Sequence, residues 1–231
     1  MKTKQEVREL ITEVGIVPVV RGASAEQAMM AVEAIILGGI PIVEITMTVP
    51  GAIGVIREIA RTMDSSVVVG AGTVLDEATA QRCLEAGAEF LVSPGLDLPT
   101  IKLALREEKV VMAGALTPTE IITAWKAGSD FVKIFPCGEV GGARYIKALR
   151  GPLPQVRMVP TGGVDLTTAA EFIRAGAAAL GVGGELVQAE ALRTGRPGII
   201  TANARRFVAA VKEARAQMSP LKEAAFASIN G

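Results

Sequence analysis

Eight short runs of aliphatic and β-branched residues recur at fairly even spacing along the chain, and helical segments fall between them. The runs are Ile16–Val20, Ile42–Ile45, Val67–Ala71, Phe90–Ser93, Val110–Ala113, Phe131–Phe135, Arg157–Pro160 and Ala178–Gly181. Helical periodicity is clear in Ala25–Leu37, Glu77–Ala86 and Leu166–Ala175, and a further helix, Lys4–Glu13, precedes the first run. The turns repeat too. Glu85-Ala86-Gly87-Ala88, Lys126-Ala127-Gly128-Ser129 and Arg174-Ala175-Gly176-Ala177 each put a Gly after a helix and before a strand. Such a Gly can take the left-handed conformation that closes a helix C-terminus. Eight strand–helix units in register close naturally into a barrel. The expected architecture is therefore one (β/α)8 barrel domain over residues 1–231, with an extra N-terminal helix and a loosely attached tail after about Ala214. An open doubly wound sheet is the rival, but GxGxxG after the first strand is missing.

Half of the residues are hydrophobic and only 3% are aromatic, so the interior must be built from Val, Ile, Leu and Ala. That suits parallel strands buried on both faces. Lys plus Arg equals Asp plus Glu, 24 each, which leaves no global field for nucleic acid or an anionic membrane. Cys83 and Cys137 make neither a disulfide framework nor a metal motif, so a reduced cytoplasmic setting is expected. The opening MKTKQEVRELITEVG lacks the apolar core of a signal peptide, and no apolar run reaches membrane-spanning length.

There is no histidine. A general base near neutral pH must then be a carboxylate, a lysine or a cysteine, and His-ligated zinc is excluded. Strand alternation in Phe131-Val132-Lys133-Ile134-Phe135 turns Phe131, Lys133 and Phe135 to one face, inside the barrel. Burying an ammonium there costs energy and should favour the neutral amine that attacks a carbonyl. The ordinary alternative is a strand-edge lysine with its head in solvent. The same alternation turns Ile42, Glu44 and Thr46 inward. A lone carboxylate in an apolar strand is expensive unless paired or functional. Glu44 reads as a proton shuttle facing Lys133, or as a structural ion pair with Arg21 or Lys133.

Arg21 ends the first run, where a guanidinium suits a carboxylate or phosphate. Thr161-Gly162-Gly163 and Gly183-Gly184 follow the seventh and eighth runs, where barrels commonly hold phosphate on backbone N–H groups. Thr73 offers a hydroxyl after the third.

Taken together, FVKIFP, IVEITMTVP, VGAGTV, FLVSPG, VPTGGV and GVGGELV resemble the 2-keto-3-deoxy-6-phosphogluconate (KDPG)/4-hydroxy-2-oxoglutarate (KHG) aldolases, from about Glu6 to Arg193. The resemblance implies a Schiff base on Lys133, Glu44 as acid/base, and pyruvate contacts from Thr73 with Pro94 and Phe135 nearby. It also implies that Thr161, Gly162, Gly163 and Gly183 line the distal end of a 2-keto acid substrate, that no metal or cofactor is used, and that the protein is a homotrimer. Two positions depart from the pattern. Thr48 stands where some relatives carry arginine, which leaves Arg21 as the main carboxylate partner. Gly184 stands where many carry serine, which removes one distal hydroxyl.

The expected activity is cleavage of KDPG, KHG or both to pyruvate plus glyceraldehyde 3-phosphate or glyoxylate. Alternatives are an aldolase for a different 2-keto-3-deoxy sugar acid, a phosphate-binding isomerase that leaves Lys133 unexplained, and an aldolase-derived self-assembling scaffold that keeps the site. On the helix Ala25–Leu37, Ala28, Val32, Ile35 and Ile36 form an inward stripe. Met30, Ala34 and Leu37 lie along another side, with Met63 beside them, as a candidate patch for assembly beyond a trimer.

Overall fold

A computed structural model describes residues 2–229, with side-chain surroundings described as far as Met218. In chain order the elements are α1 (Lys4–Val14), β1 (Ile16–Val20), α2 (Ala25–Leu37), β2 (Ile42–Thr46), α3 (Ala52–Thr62), β3 (Val68–Gly72), α4 (Glu77–Glu85), β4 (Phe90–Val92) and α5 (Leu98–Arg106). The second half runs β5 (Val110–Ala115), α6 (Pro118–Lys126), β6 (Phe131–Ile134), α7 (Ala143–Arg150), β7 (Met158–Pro160), α8 (Ala169–Arg174), β8 (Leu180–Val182), α9 (Ala189–Arg193) and α10 (Gly198–Ile229). The strands hydrogen-bond in the order β7-β6-β5-β4-β3-β2-β1-β8, every pair parallel. A single bridge between Thr161 and Gly181 joins the two ends. This is the (β/α)8 barrel with its added N-terminal helix.

The strand residues are buried throughout, as a sheet walled by helices outside and side chains inside requires. Aliphatic residues fill it; Phe90, Phe131, Phe172 and Phe207 are the largest fully buried side chains. Gly87, Gly128 and Gly176 have φ of 105°, 98° and 96°, the left-handed conformation expected of the repeated turn. Helix starts carry their own caps: Ser24, Asp76, Asp97 and Thr117 each accept from the N–H three residues on. At the bottom of the barrel Asp130 accepts from Val111 N at 3.0 Å and pairs with Lys4 of α1 at 3.0 Å, tying the added helix to β5 and β6.

Two local expectations, the start of α8 and the second apolar side of α2, need adjustment. The helix expected from Leu166 begins at Ala169, because Asp165 Oδ1 accepts from the N–H groups of Thr167 (2.7 Å) and Thr168 (2.8 Å) in a turn of its own. The chain after Ala214 continues as α10, and Arg215 donates to the carbonyls of Thr12 and Glu13 and, at 3.3 Å, to that of Ala178. Side chains from residue 219 onward lie outside the described residues. On α2, Ala34 is buried beside α10, with Thr201 Oγ1 donating to its carbonyl at 2.9 Å. Met30, Ile36 and Met63 pack partly buried against the core, and Leu37 is 70% exposed. On the second apolar side of α2, Ala34 is therefore covered, while Leu37 is exposed and Met30 partly so; α10 and α3 flank that helix. Among the described residues no helix is long and apolar enough to cross a membrane.

Candidate active site

Parallel register carries inward residues of neighbouring strands to one level, and the strand C-termini open together. β2 and β6 each put one ionisable side chain inside. Glu44 is 1% exposed and Lys133 4%, and Lys133 Nζ lies 4.0 Å from Glu44 Oε1. Nζ also stands 5.5 Å from the centre of the Phe135 ring. Among the described residues Glu44 Oε1 has no hydrogen-bond partner.

Loss of solvent dominates the carboxyl's electrostatics. Burial pushes the Glu44 pKa up, and the charges of Lys133 and then Arg21 pull it back only in part. Magnitudes make that outcome reasonable. Opposite charges about 4 Å apart attract by roughly 4 kcal/mol at an effective dielectric near 20. Taking a carboxylate out of water costs several kcal/mol before any partner is counted. Glu44 therefore holds a proton more readily than a surface glutamate, which suits a group that must both give and take one.

The walls follow from the neighbouring strands. The Thr46 hydroxyl donates to the Val20 carbonyl at 3.0 Å, so the Thr48 hydroxyl, 2.7 Å away, supplies the proton of that second contact. Thr48 is thereby tied back to β1 and β2. Thr73, directly after β3, has a φ of 57°. A β-branched residue there is strained by about 1–3 kcal/mol, the kind of outlier that gathers at functional sites. Gly114 of β5 is the register partner of Lys133. The Pro94–Gly95 backbone lies so close to Gly114 that no Cβ would fit between them, which brings Pro94 in beside the lysine's strand.

A cavity of about 270 Å³ opens next to this pair. Arg21, Phe135, Thr161, Gly162, Gly163, Gly183 and Gly184 line it, with Val19, Val164, Asp165, Gly181 and Glu185. Glu44, Lys133, Thr73 and Pro94 lie outside that lining; Phe135, in contact range of both, joins the lysine to the cavity. Gly162 and Gly163 have φ of 85° and 72°, and Gly138 N donates to the Gly162 carbonyl at 3.0 Å, so the loops after β6 and β7 close on each other. Asp165 and Glu185 are the site residues the sequence reading missed. Their signal was position: each follows a glycine pair at the end of a strand. Thr167 and Thr168 donate to the Asp165 carboxylate and hold its pKa below the ordinary value. The distal cavity therefore carries one cation, Arg21, against two carboxylates.

The assembled features are a buried primary amine, a facing carboxyl whose Oε1 has no partner among the described residues, and beyond them a glycine-lined cavity that holds the Arg21 guanidinium. Such a set can add an amine to a carbonyl and move protons about the adduct.

Residues 7–202 match the family model described as KDPG and KHG aldolase. The KHG/KDPG aldolase of Escherichia coli K12 is 34% identical over 210 residues, 90% of this chain and 98% of the relative. The KDPG aldolase of Legionella pneumophila, solved with pyruvate captured at low pH as a covalent carbinolamine intermediate, superposes with a TM-score of 0.80. It is 28% identical, over 86% of this chain and 96% of that one. A cube-shaped, highly porous protein cage designed by fusing symmetric oligomeric domains superposes with a TM-score of 0.83 at 29% identity, over 93% of this chain and 78% of that one.

Proposed function

This chain belongs to the KDPG and KHG aldolase family and is a class I aldolase, a carbon–carbon lyase; from that premise we propose that it works through a Schiff base on Lys133. The substrates proposed are those named for its relatives, KDPG, KHG or both, and the products are pyruvate with glyceraldehyde 3-phosphate or glyoxylate. One observation supports the residue assignment above the others: Lys133 Nζ and Glu44 Oε1, both buried, stand 4.0 Å apart inside the barrel.

In the proposed cycle the neutral Lys133 amine attacks the C2 keto carbon. Glu44 gives a proton as the carbinolamine loses water, and an iminium forms. The ionised Glu44 then takes the proton of the C4 hydroxyl. The C3–C4 bond breaks, its electron pair flows into the iminium to give an enamine, and the aldehyde leaves. Glu44 returns the proton to the terminal enamine carbon, and water releases pyruvate from the lysine. Arg21 and Thr73 hold the substrate carboxylate in this scheme, Arg21 from the wall of the cavity beyond Phe135 that takes the aldehyde half. The chain is read as a homotrimer, as its family resemblance implies, in a reducing cytoplasm; Cys83 and Cys137 are free and buried. Coupling pyruvate release to lactate dehydrogenase with KDPG and KHG supplied separately tests the substrate assignment. Turnover of at least one is expected, and turnover of neither overturns it.

A further inference from the structure

We infer that Gly72 is the positioning residue for the Glu44 carboxyl, the position that sets where the proton-transfer group sits above Lys133. This rests on the reading of Glu44 as acid/base. Gly72 is the last residue of a fully buried strand, where a glycine offers no side chain to pack. Its φ is not among the positive ones, so the backbone does not call for glycine. Space does. A Cβ at position 72 would lie 2.5 Å from both Cγ and Cδ of Glu44 and closer still to Oε1, and these are its three nearest atoms.

Register explains the geometry. Glu44 is level with Gly70, and Thr46 is level with Gly72. The Glu44 side chain thus climbs from its own layer to the next, toward the mouth, and lies along the bare backbone of Gly72. Gly70 has a different neighbour, since a Cβ there would meet the Phe90 ring. The two inward glycines of β3 therefore divide the work: the lower admits a core ring and the upper admits the carboxyl. That wall supplies no donor to Oε1, which stays without a partner among the described residues and free for a substrate proton.

The test is a double-mutant cycle on proton exchange at the pyruvate methyl group, followed by NMR. Gly72→Ala should slow exchange and kcat by about 10²-fold, the cost of a carboxyl displaced by about 1 Å. KM for substrate should change little, because Gly72 is not assigned a substrate contact. In the Glu44→Gln background, Gly72→Ala should change exchange by less than about twofold, since it acts only through the group already lost. A full 10²-fold loss in both backgrounds would make Gly72 a structural residue and overturn the inference, as would unchanged exchange in Gly72→Ala alone. Exchange undisturbed by Glu44→Gln alone would instead overturn the acid/base reading. Folding is followed by thermal melts with Glu44→Ala, which removes the atoms that crowd position 72. If Gly72→Ala fails to fold alone but folds with Glu44→Ala, the contact stands; failure in both backgrounds overturns it.

Discussion

Lys133 on β6 and Glu44 on β2 face each other across the inside of the barrel, Nζ to Oε1 at 4.0 Å, with almost no solvent reaching either side chain. The strands that carry them are far apart in the hydrogen-bonding order, with β3, β4 and β5 between. The pair is a product of barrel closure, and both of its members are dry.

Glu44→Gln keeps the shape and removes the titrating oxygen. Turnover should fall by roughly 10²–10⁴-fold, the usual contribution of one general acid–base group. Steady-state kinetics checks this. A loss below tenfold would leave Glu44 as a structural partner of Lys133.

The same substitution should change the pH dependence of stability. The Glu44 pKa is raised in the folded state above the ordinary 4.5, chiefly by burial. Between 4.5 and that raised value the folded protein binds more protons than the unfolded chain, so wild-type stability falls as pH rises through the window. Glu44→Gln lacks this slope. Melting curves at stepped pH should show the variant gaining on wild type as pH rises from about 4.5, and no change in the gap would contradict the burial argument.

The distal cavity sets Asp165 and Glu185 against Arg21. Glycine N–H groups favour phosphate there, and the carboxylates oppose it. Inorganic phosphate should compete with substrate, and Glu185→Gln should lower the inhibition constant for phosphate by a few-fold. The absence of phosphate inhibition in either protein would remove the phosphate subsite.

Static light scattering should return three times the 24.0 kDa chain mass. Leu37→Glu should leave that mass unchanged, because a single exposed leucine is far too little surface to hold an interface. A monomer at micromolar concentration would contradict the trimer.

Much of the barrel was legible because its strands are nearly pure aliphatic runs, buried on both faces, and its turns repeat a left-handed glycine. Lys133 and Glu44 stood out as lone charges in such runs. What was not legible depended on partners distant in sequence. Ala34 reads as exposed until α10, more than 160 residues away, covers it. The Leu166 start failed because Asp165 takes the N–H groups of Thr167 and Thr168 for its own turn. Asp165 and Glu185 were overlooked because they follow glycine pairs that leave no side-chain pattern, and only the fold brings the two loops round one cavity.

The most direct test of a Schiff base on Lys133 is borohydride reduction in the presence of pyruvate, followed by peptide mass spectrometry. The expected result is one carboxyethyl group on the peptide carrying Lys133, and neither labelling nor turnover in Lys133→Ala. That variant should still fold, because Glu44 without its cation takes up a proton rather than staying charged in the dry interior. Labelling of a different lysine, or a tenth or more of wild-type turnover in folded Lys133→Ala, would contradict the assignment.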